Sequence, residues 1–379
     1  MSHLQHLAQA GAGGLIRPPR DRRAIDRFAL HRGLVGLSPQ DPEAAPGHWY
    51  AASAKVRVGS DETVWCCELM TQQDGKILDP TAGGIPTKES AALIDVLNRQ
   101  LSSETRRWEY GDGAHHLFVT REKILAETDI LAVPSPDVLA GQSWERALPR
   151  GATGEALQQL IVEASKLLES QPVNRVRLDL GENPANLVWL WGPAQPLPQK
   201  TWAERRGRSG AIISSCFPMQ GFAQILGMEW KDAMHSIEEG AFERLAKQVN
   251  ALLARHELVY VHLRVQTTHP VERLCFMERL DQLVLKPFTE HLPMGEPWRL
   301  LLAIDDLTSA AVPVVAIGSG LSQQPIAQLT SQSFAESPLT FADGEAVFAW
   351  LTQGQTPEQS TKRARPGVEA SDVANAPTM

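Results

Sequence analysis

The sequence is short of the residue types that would place it in several familiar classes. Cysteine occurs only 4 times in 379 residues, and with no C-x-x-C pair the chain has neither a disulfide framework nor a thiolate metal knuckle. Cys66 and Cys67 are adjacent, so on a strand they point to opposite faces and do not share a metal. These two, with the isolated Cys216 and Cys275, read as buried structural thiols in a reducing compartment. Basic charge is scarce as well. The 36 Lys and Arg are outnumbered by 44 Asp and Glu, for a net charge of −8, which excludes a non-specific grip on nucleic acid or on an anionic membrane. Long apolar runs are missing too: the stretches near Ala310–Gly318 and Arg299–Ile304 fall far below the roughly 20 residues of a spanning helix. The amino end lacks the charged-then-apolar plan of a signal peptide, and a cytoplasmic location is expected.

What is present is globular. At 43% hydrophobic and 21% charged residues the chain has ample material for a core, and its length predicts two domains or one large α/β domain with an insertion. LQHLAQAGAGGLI reads as a helix stopped by glycine and followed by a short strand. The arginines Arg17, Arg20, Arg22, Arg23 and Arg27 are interleaved with Asp21 and Asp26, the pattern of a solvated face. Turn-rich DPEAAPG (Asp41–Gly47) and proline-rich VPSPDVLAGQSWERALPRG (Val133–Gly151) bracket a segment of alternating strands, KVRV, TVWCCELM and HHLFVT, around one amphipathic helix, Ser90–Leu101. This predicts an inserted α+β domain at 51–150. The flanking 1–50 and 151–353 form the core, where continuous apolar strands such as NLVWLWG, AIISSC, LVYVHLRV, RLLLAID and VPVVAIG alternate with helices. Such strands predict an α/β core with a mainly parallel sheet covered on both faces. The tail 354–379 has almost no large apolar residue and reads as disordered.

In a parallel sheet, ligands gather outside the carboxyl ends of the strands. His262, Gln266, Thr267, Thr268 and His269 follow LVYV, while Asp305, Asp306 and Thr308 follow LLLAI. An aspartate pair closing a buried strand beside a histidine-bearing loop suits a divalent metal, and also suits a loop cap.

The block NPANLVWLWGPAQPLPQKTWAERRGRSGAIISSCFPMQGFAQILGMEW (Asn183–Trp230) resembles the archaeal-type, cofactor-independent phosphoglycerate mutases, relatives of alkaline phosphatase. LDPTAGGIPTKESAALIDVLNRQL, PSPDVLAGQSWERALPRG, LVYVHLRV and LVGLSPQDP resemble further segments of that family, including a P-P-H-D-I stretch that falls on Asp137. The resemblance spans about Leu4 to Leu351. It implies an alkaline-phosphatase-like core and two metal ions, manganese or zinc, held by Asp and His. These would activate a serine that moves a phosphoryl group between two positions of a phosphoglycerate.

Matched residue by residue, the implied machinery is depleted. The family's leading D-G-M strand has no counterpart in the sequence. Its P-G-S-D-V-A nucleophile segment falls on Ile25–Leu30, with Arg27 at the serine. Its D-E-A-G-H falls on Thr267–His269 and keeps only His269, while its D-H-P-T-P matches Asp305, Asp306, Leu307 and Thr308, which retain the Asp without the His. The later R-T-H-T metal histidine has no counterpart. A substrate arginine falls on Cys66 and that of Y-R-H on His115, leaving His116 in place.

Two functional classes follow. The first is a catalytically degenerate homologue whose cleft binds a phosphorylated metabolite through residues such as Arg27, His116 and Asp137, or whose surface binds a protein partner. The second is an active metal-dependent mutase or phosphatase-like enzyme with a rearranged site. It would hold a single manganese or zinc at Asp305, Asp306, His262 and His269, with Ser214 or Ser309 as phosphoryl carrier. Neither nucleic acid nor membrane is an expected partner.

Overall fold

The computed structural model describes residues 1–17, 27–38, 41, 45–126, 133–196, 200–233, 240–265, 269–290, 297–305 and 311–353. Asp306, Gln266, Thr267, Thr268, Thr308, Ser309, Arg20, Arg22, Arg23 and the tail 354–379 lie outside the described residues. In chain order the strands are β1 (Ala12–Ile16), β2 (Thr63–Gln73), β3 (Lys76–Asp79), β4 (Arg106–Asp112), β5 (His115–Thr120) and β6 (Leu187–Ala194). They continue with β7 (Gly210–Ser214), β8 (Glu229–Lys231), β9 (Leu258–His262), β10 (Arg299–Ala303), β11 (Val312–Gly318) and β12 (Thr340–Phe341).

The fold is mixed α/β, built on three sheets. One has the order β10-β11-β1-β12, a second β3-β2-β5-β4 in which β6 also pairs with β2, along Val64–Met70, while β3 pairs with Thr71–Gln73, and a third β8-β7-β9. Among the described residues, the strands paired parallel are β7 with its two neighbours and β1 with β12, besides isolated parallel bridges at Ala12–Gln324 and Ile77–Ala140; the other strand pairs are antiparallel. Against the expected mainly parallel core, the third sheet is wholly parallel, the first is mixed and the second is antiparallel among the described residues. Strands buried on both faces read as parallel, yet antiparallel strands covered by helices on both sides carry the same apolar pattern.

β6 illustrates the point. Its burial is complete along its whole length, but it pairs antiparallel with β2 rather than joining the core, with Trp189 opposite Glu68 and Trp191 opposite Cys66. The helix Ala152–Glu169 packs with it, and Leu157, Leu160, Ile161 and Leu168 share one hydrophobic cluster with Leu93, Leu97, Trp65 and Trp189. The sheet built on β2 thus draws strands from both sides of residue 150, with β5 on one edge of β2 and β6 on the other. KVRV forms no strand, whereas TVWCCELM and HHLFVT lie in β2 and β5.

The helix Ser2–Ala10 ends at Gly11, where an added Cβ would meet the Ala316 carbonyl oxygen at 2.3 Å, so glycine is needed for helix and β11 to approach. The helix Pro46–Ala54 covers the inner face of the second sheet and also packs against the helix Phe217–Ile225 that follows β7. It therefore couples the second sheet to the third. Cys66 and Cys67 are buried as expected, Cys216 is half-buried and Cys275 is exposed. Arg27 also departs from expectation: it is 6% exposed rather than part of a solvated face. Among the described residues no helix is long and apolar enough to cross a membrane.

Candidate functional site

β7 and β9 run parallel in a register that sets Ser214 beside His262 at their carboxyl ends. The Ser214 hydroxyl hydrogen-bonds His262 Nδ1 at 2.9 Å and accepts the Cys216 N–H at 3.1 Å. Over these ends lies the helix Arg27–Leu34, where Arg27 and His31, one turn apart, share a face. His31 Nδ1 sits 2.7 Å from the Tyr260 hydroxyl, and its ring stands edge-on to His262 with centroids 4.8 Å apart. Arg27 reaches past them to Asp305, just beyond β10. Its Nε donates to Oδ2 at 2.7 Å and its Nη2 to Oδ1 at 3.3 Å.

Burial governs the protonation of this cluster. It holds His31 well below the ordinary histidine value, with His262 and Arg27 adding repulsion. It lowers His262 to about 4, with Arg264 adding to the effect. The Tyr260 hydroxyl is pushed up by burial and by Asp305. Near neutral pH the group therefore consists of two uncharged imidazoles, an uncharged phenol and one closed ion pair.

A second polar group lies on the second sheet. Glu68 is 1% exposed within the otherwise apolar stretch Val64–Met70 of β2. Its carboxylate accepts from the Tyr50 hydroxyl and, at 3.4 Å, from Trp191 Nε1, while the other oxygen bonds His115 Nδ1 at 2.7 Å. Tyr50 comes from the helix Pro46–Ala54, and the His115 ring lies parallel to Phe217 with centroids 6.3 Å apart.

The structure joins some of the expected site residues and separates others. Arg27 and Asp305 are partners, so the guanidinium anticipated as a ligand for phosphate is already engaged by a carboxylate. His262 bonds Ser214. Asp137, at the start of the turn Pro136–Val138, is half-buried and close enough to His115 and Cys216 to favour protonation of both. His116 points the opposite way from His115, is fully buried, and accepts the Gly111 N–H at Nδ1. His269 is exposed at the N-cap of the helix Pro270–Leu280. Among the described residues no three His, Cys, Asp or Glu side chains converge where a metal ion could sit, so Asp305, His262 and His269 form no such centre.

Sequence reasoning passed over His31, Tyr260, Glu68 and Arg264. Two signals were available: His31 lies four residues after Arg27, and Glu68 is a lone carboxylate in an apolar strand.

Comparison with known proteins bears on the class. Residues 8–174 match the family described as 2,3-bisphosphoglycerate-independent phosphoglycerate mutase. A protein of that name from Methanosarcina acetivorans is 31% identical over 80% of this chain and 77% of its own length. One from Methanosarcina mazei is 28% identical over 82% and 79%. Among solved structures, the cofactor-independent phosphoglycerate mutase of Thermoplasma acidophilum matches with a TM-score of 0.51 at 19% identity, covering 93% of this chain and 90% of that one. A Pyrococcus horikoshii protein matches with a TM-score of 0.62 at 14% identity, covering 93% and 89%. The chain belongs to the 2,3-bisphosphoglycerate-independent phosphoglycerate mutase family.

The two dications implied by the family do not fit the donors described here. Both oxygens of Asp305 are taken by Arg27, and among the described residues no third His, Cys, Asp or Glu joins His31 and His262 to complete a donor set. A dication wants about four or more ligands, and a permanent guanidinium charge repels it from this carboxylate.

Proposed function

We propose that this chain is a non-catalytic member of its family whose cleft, between the ends of β7 and β9 and the face of β5, binds a small phosphorylated metabolite. The observation that carries this reading is the Arg27–Asp305 ion pair, in which a guanidinium stands at the position matched to the family's serine and closes off the matched aspartate. An arginine has no nucleophile to offer, and phosphoryl transfer without metal charge loses its main electrostatic support. Arg264, exposed after β9, and His115 supply cationic character to the cleft in place of the engaged Arg27.

The test is a coupled mutase assay with each phosphoglycerate and added manganese, run beside a metal analysis of the purified protein. Expected are background turnover and less than about 0.1 manganese or zinc per chain. Turnover above about 1 per second, in the ordinary enzymatic range, would overturn the reading in favour of a rearranged active site. The hydroxyl–imidazole contact of Ser214 and His262 favours that alternative, but Ser214 is fully buried.

A further inference from the structure

Glu68 is a carboxylate held in an apolar strand by three donors, and one of them, His115, is the only member of the group that reaches solvent, with a side chain 25% exposed. Because the carboxylate accepts at Nδ1, that nitrogen carries a proton in both charge states of the ring. The protonation change falls on Nε2, for which no hydrogen-bond partner is found among the described residues. Phe217 and Tyr50 pack against the ring and fix its plane.

The charged and titratable groups around the ring come from several elements. Glu68 and Cys66 lie on β2, Tyr50 on the helix Pro46–Ala54, Asp112 and His116 in the β4–β5 hairpin, and Asp137 in the turn Pro136–Val138. Cys216 follows β7 and Arg264 follows β9. Burial raises the Tyr50 hydroxyl and the Cys66 thiol and puts the Cys216 thiol at about 11, so these three are uncharged near neutral pH. His116, lowered to about 4, is uncharged as well, while Asp112 is the cross-strand partner of His115 and accepts from the Thr87 hydroxyl. Glu68 and Asp137 favour the proton on His115 and Arg264 opposes it. Arg264 comes two residues after His262, whose register partner Ser214 lies three residues before the Phe217 ring parallel to His115. Loss of the His115 proton removes one positive charge from this group.

We infer that His115 and Arg264 form a proton-gated subsite for a small oxyanion, with Glu68 as the buried counter-charge that orients the ring. The inference rests on the metabolite-binding reading above and adds how that site is regulated: an anion is held when Nε2 carries its proton and is released when the proton leaves. Burial of the ring opposes the proton, but attraction and the hydrogen bond to Glu68 outweigh it, so the release falls on the alkaline side of the ordinary histidine value.

The full chain is titrated with sulfate, whose charge is constant over the range, at about pH 5.5 and about pH 8.5, on either side of ordinary histidine titration. Expected is an affinity about tenfold or more weaker at the higher pH. In His115→Gln binding is weak and indifferent to pH, and in His115→Arg it persists at both values. Ring-nitrogen NMR on the unsubstituted chain should place the titration on Nε2 of His115, with a shift on adding sulfate. Binding of 3-phosphoglycerate that neither pH nor the His115 substitutions alter would overturn this subsite and leave the metabolite reading standing. If neither sulfate nor 3-phosphoglycerate binds at either pH, His115→Arg included, both are overturned.

Discussion

Arg27 and Asp305, 278 positions apart in the chain, meet in a two-point ion pair at 2.7 and 3.3 Å. The arginine is almost fully enclosed, with 7% of its side chain exposed against 26% for the aspartate. The pair ties the helix Arg27–Leu34 to the end of β10.

Removing one partner strands the other. Arg27→Met should destabilise the fold by about 2–3 kcal/mol, less than a fully buried pair would because Asp305 is partly solvated. Adding Asp305→Asn should return most of that loss, and urea unfolding of the single and double variants measures both. Arg27→Ser should gain no mutase turnover in the coupled assay, since it supplies a hydroxyl without metal ligands. Full stability in Arg27→Met would show that the pair does not hold the helix.

The tryptophans of β6 serve packing. Trp191 is 3% exposed, lies edge-on to Phe28 at 4.8 Å and donates to Glu68, while Trp189 is fully buried and donates to the Pro134 carbonyl at 2.9 Å. Trp191→Ala should cost about 3–5 kcal/mol. An unchanged thermal midpoint would assign Trp191 to ligand contact instead.

Acid should destabilise the protein well before its carboxylates titrate. His116 and His262 are lowered to about 4, chiefly by burial, and His31 is lowered as well. Between pH 4 and 6.5 the unfolded chain therefore binds more protons than the folded one, and stability falls as pH drops through that window while staying level above it. For fully buried His116 the difference amounts to about 3 kcal/mol at its limit. His115 works the other way: its raised value contributes stability at low pH that is lost as pH rises through it. Chemical denaturation at pH 5 and pH 7.5 reads the balance, and His116→Leu should flatten the acid slope. A slope unchanged in that variant would place the acid sensitivity elsewhere.

The contact that sets Phe217 against His115 depends on a missing side chain. A Cβ on Gly221 would lie 1.8 Å from the Trp49 carbonyl oxygen, and the Gly221 N–H donates to Ser53 Oγ at 2.7 Å. Gly221→Ala should push apart the helices Pro46–Ala54 and Phe217–Ile225 and cost more than about 2 kcal/mol, read by thermal unfolding. Alanine accepted without loss would mean the two helices are free to separate.

The sequence alone determined what depends on neighbours along the chain. Apolar alternation marked TVWCCELM and HHLFVT as strands, helical spacing marked Leu93, Ile94 and Leu97, and short core motifs in Asn183–Trp230 carried the family resemblance. All of these rest on backbone periodicity and local packing. Period-two alternation also required His115 and His116 to face opposite ways, but which one met Glu68 was decided only when β5 took its place beside β2 and under the helix Pro46–Ala54. The partner of β6 was likewise beyond local pattern, since an all-apolar strand suits a parallel core and a covered antiparallel sheet equally. Most of all, the fate of Arg27 belonged to tertiary structure. Among neighbouring aspartates it reads as a solvated charge, and only closure of the chain over 278 residues put it beside Asp305, where burial makes an ion pair the least costly state for both.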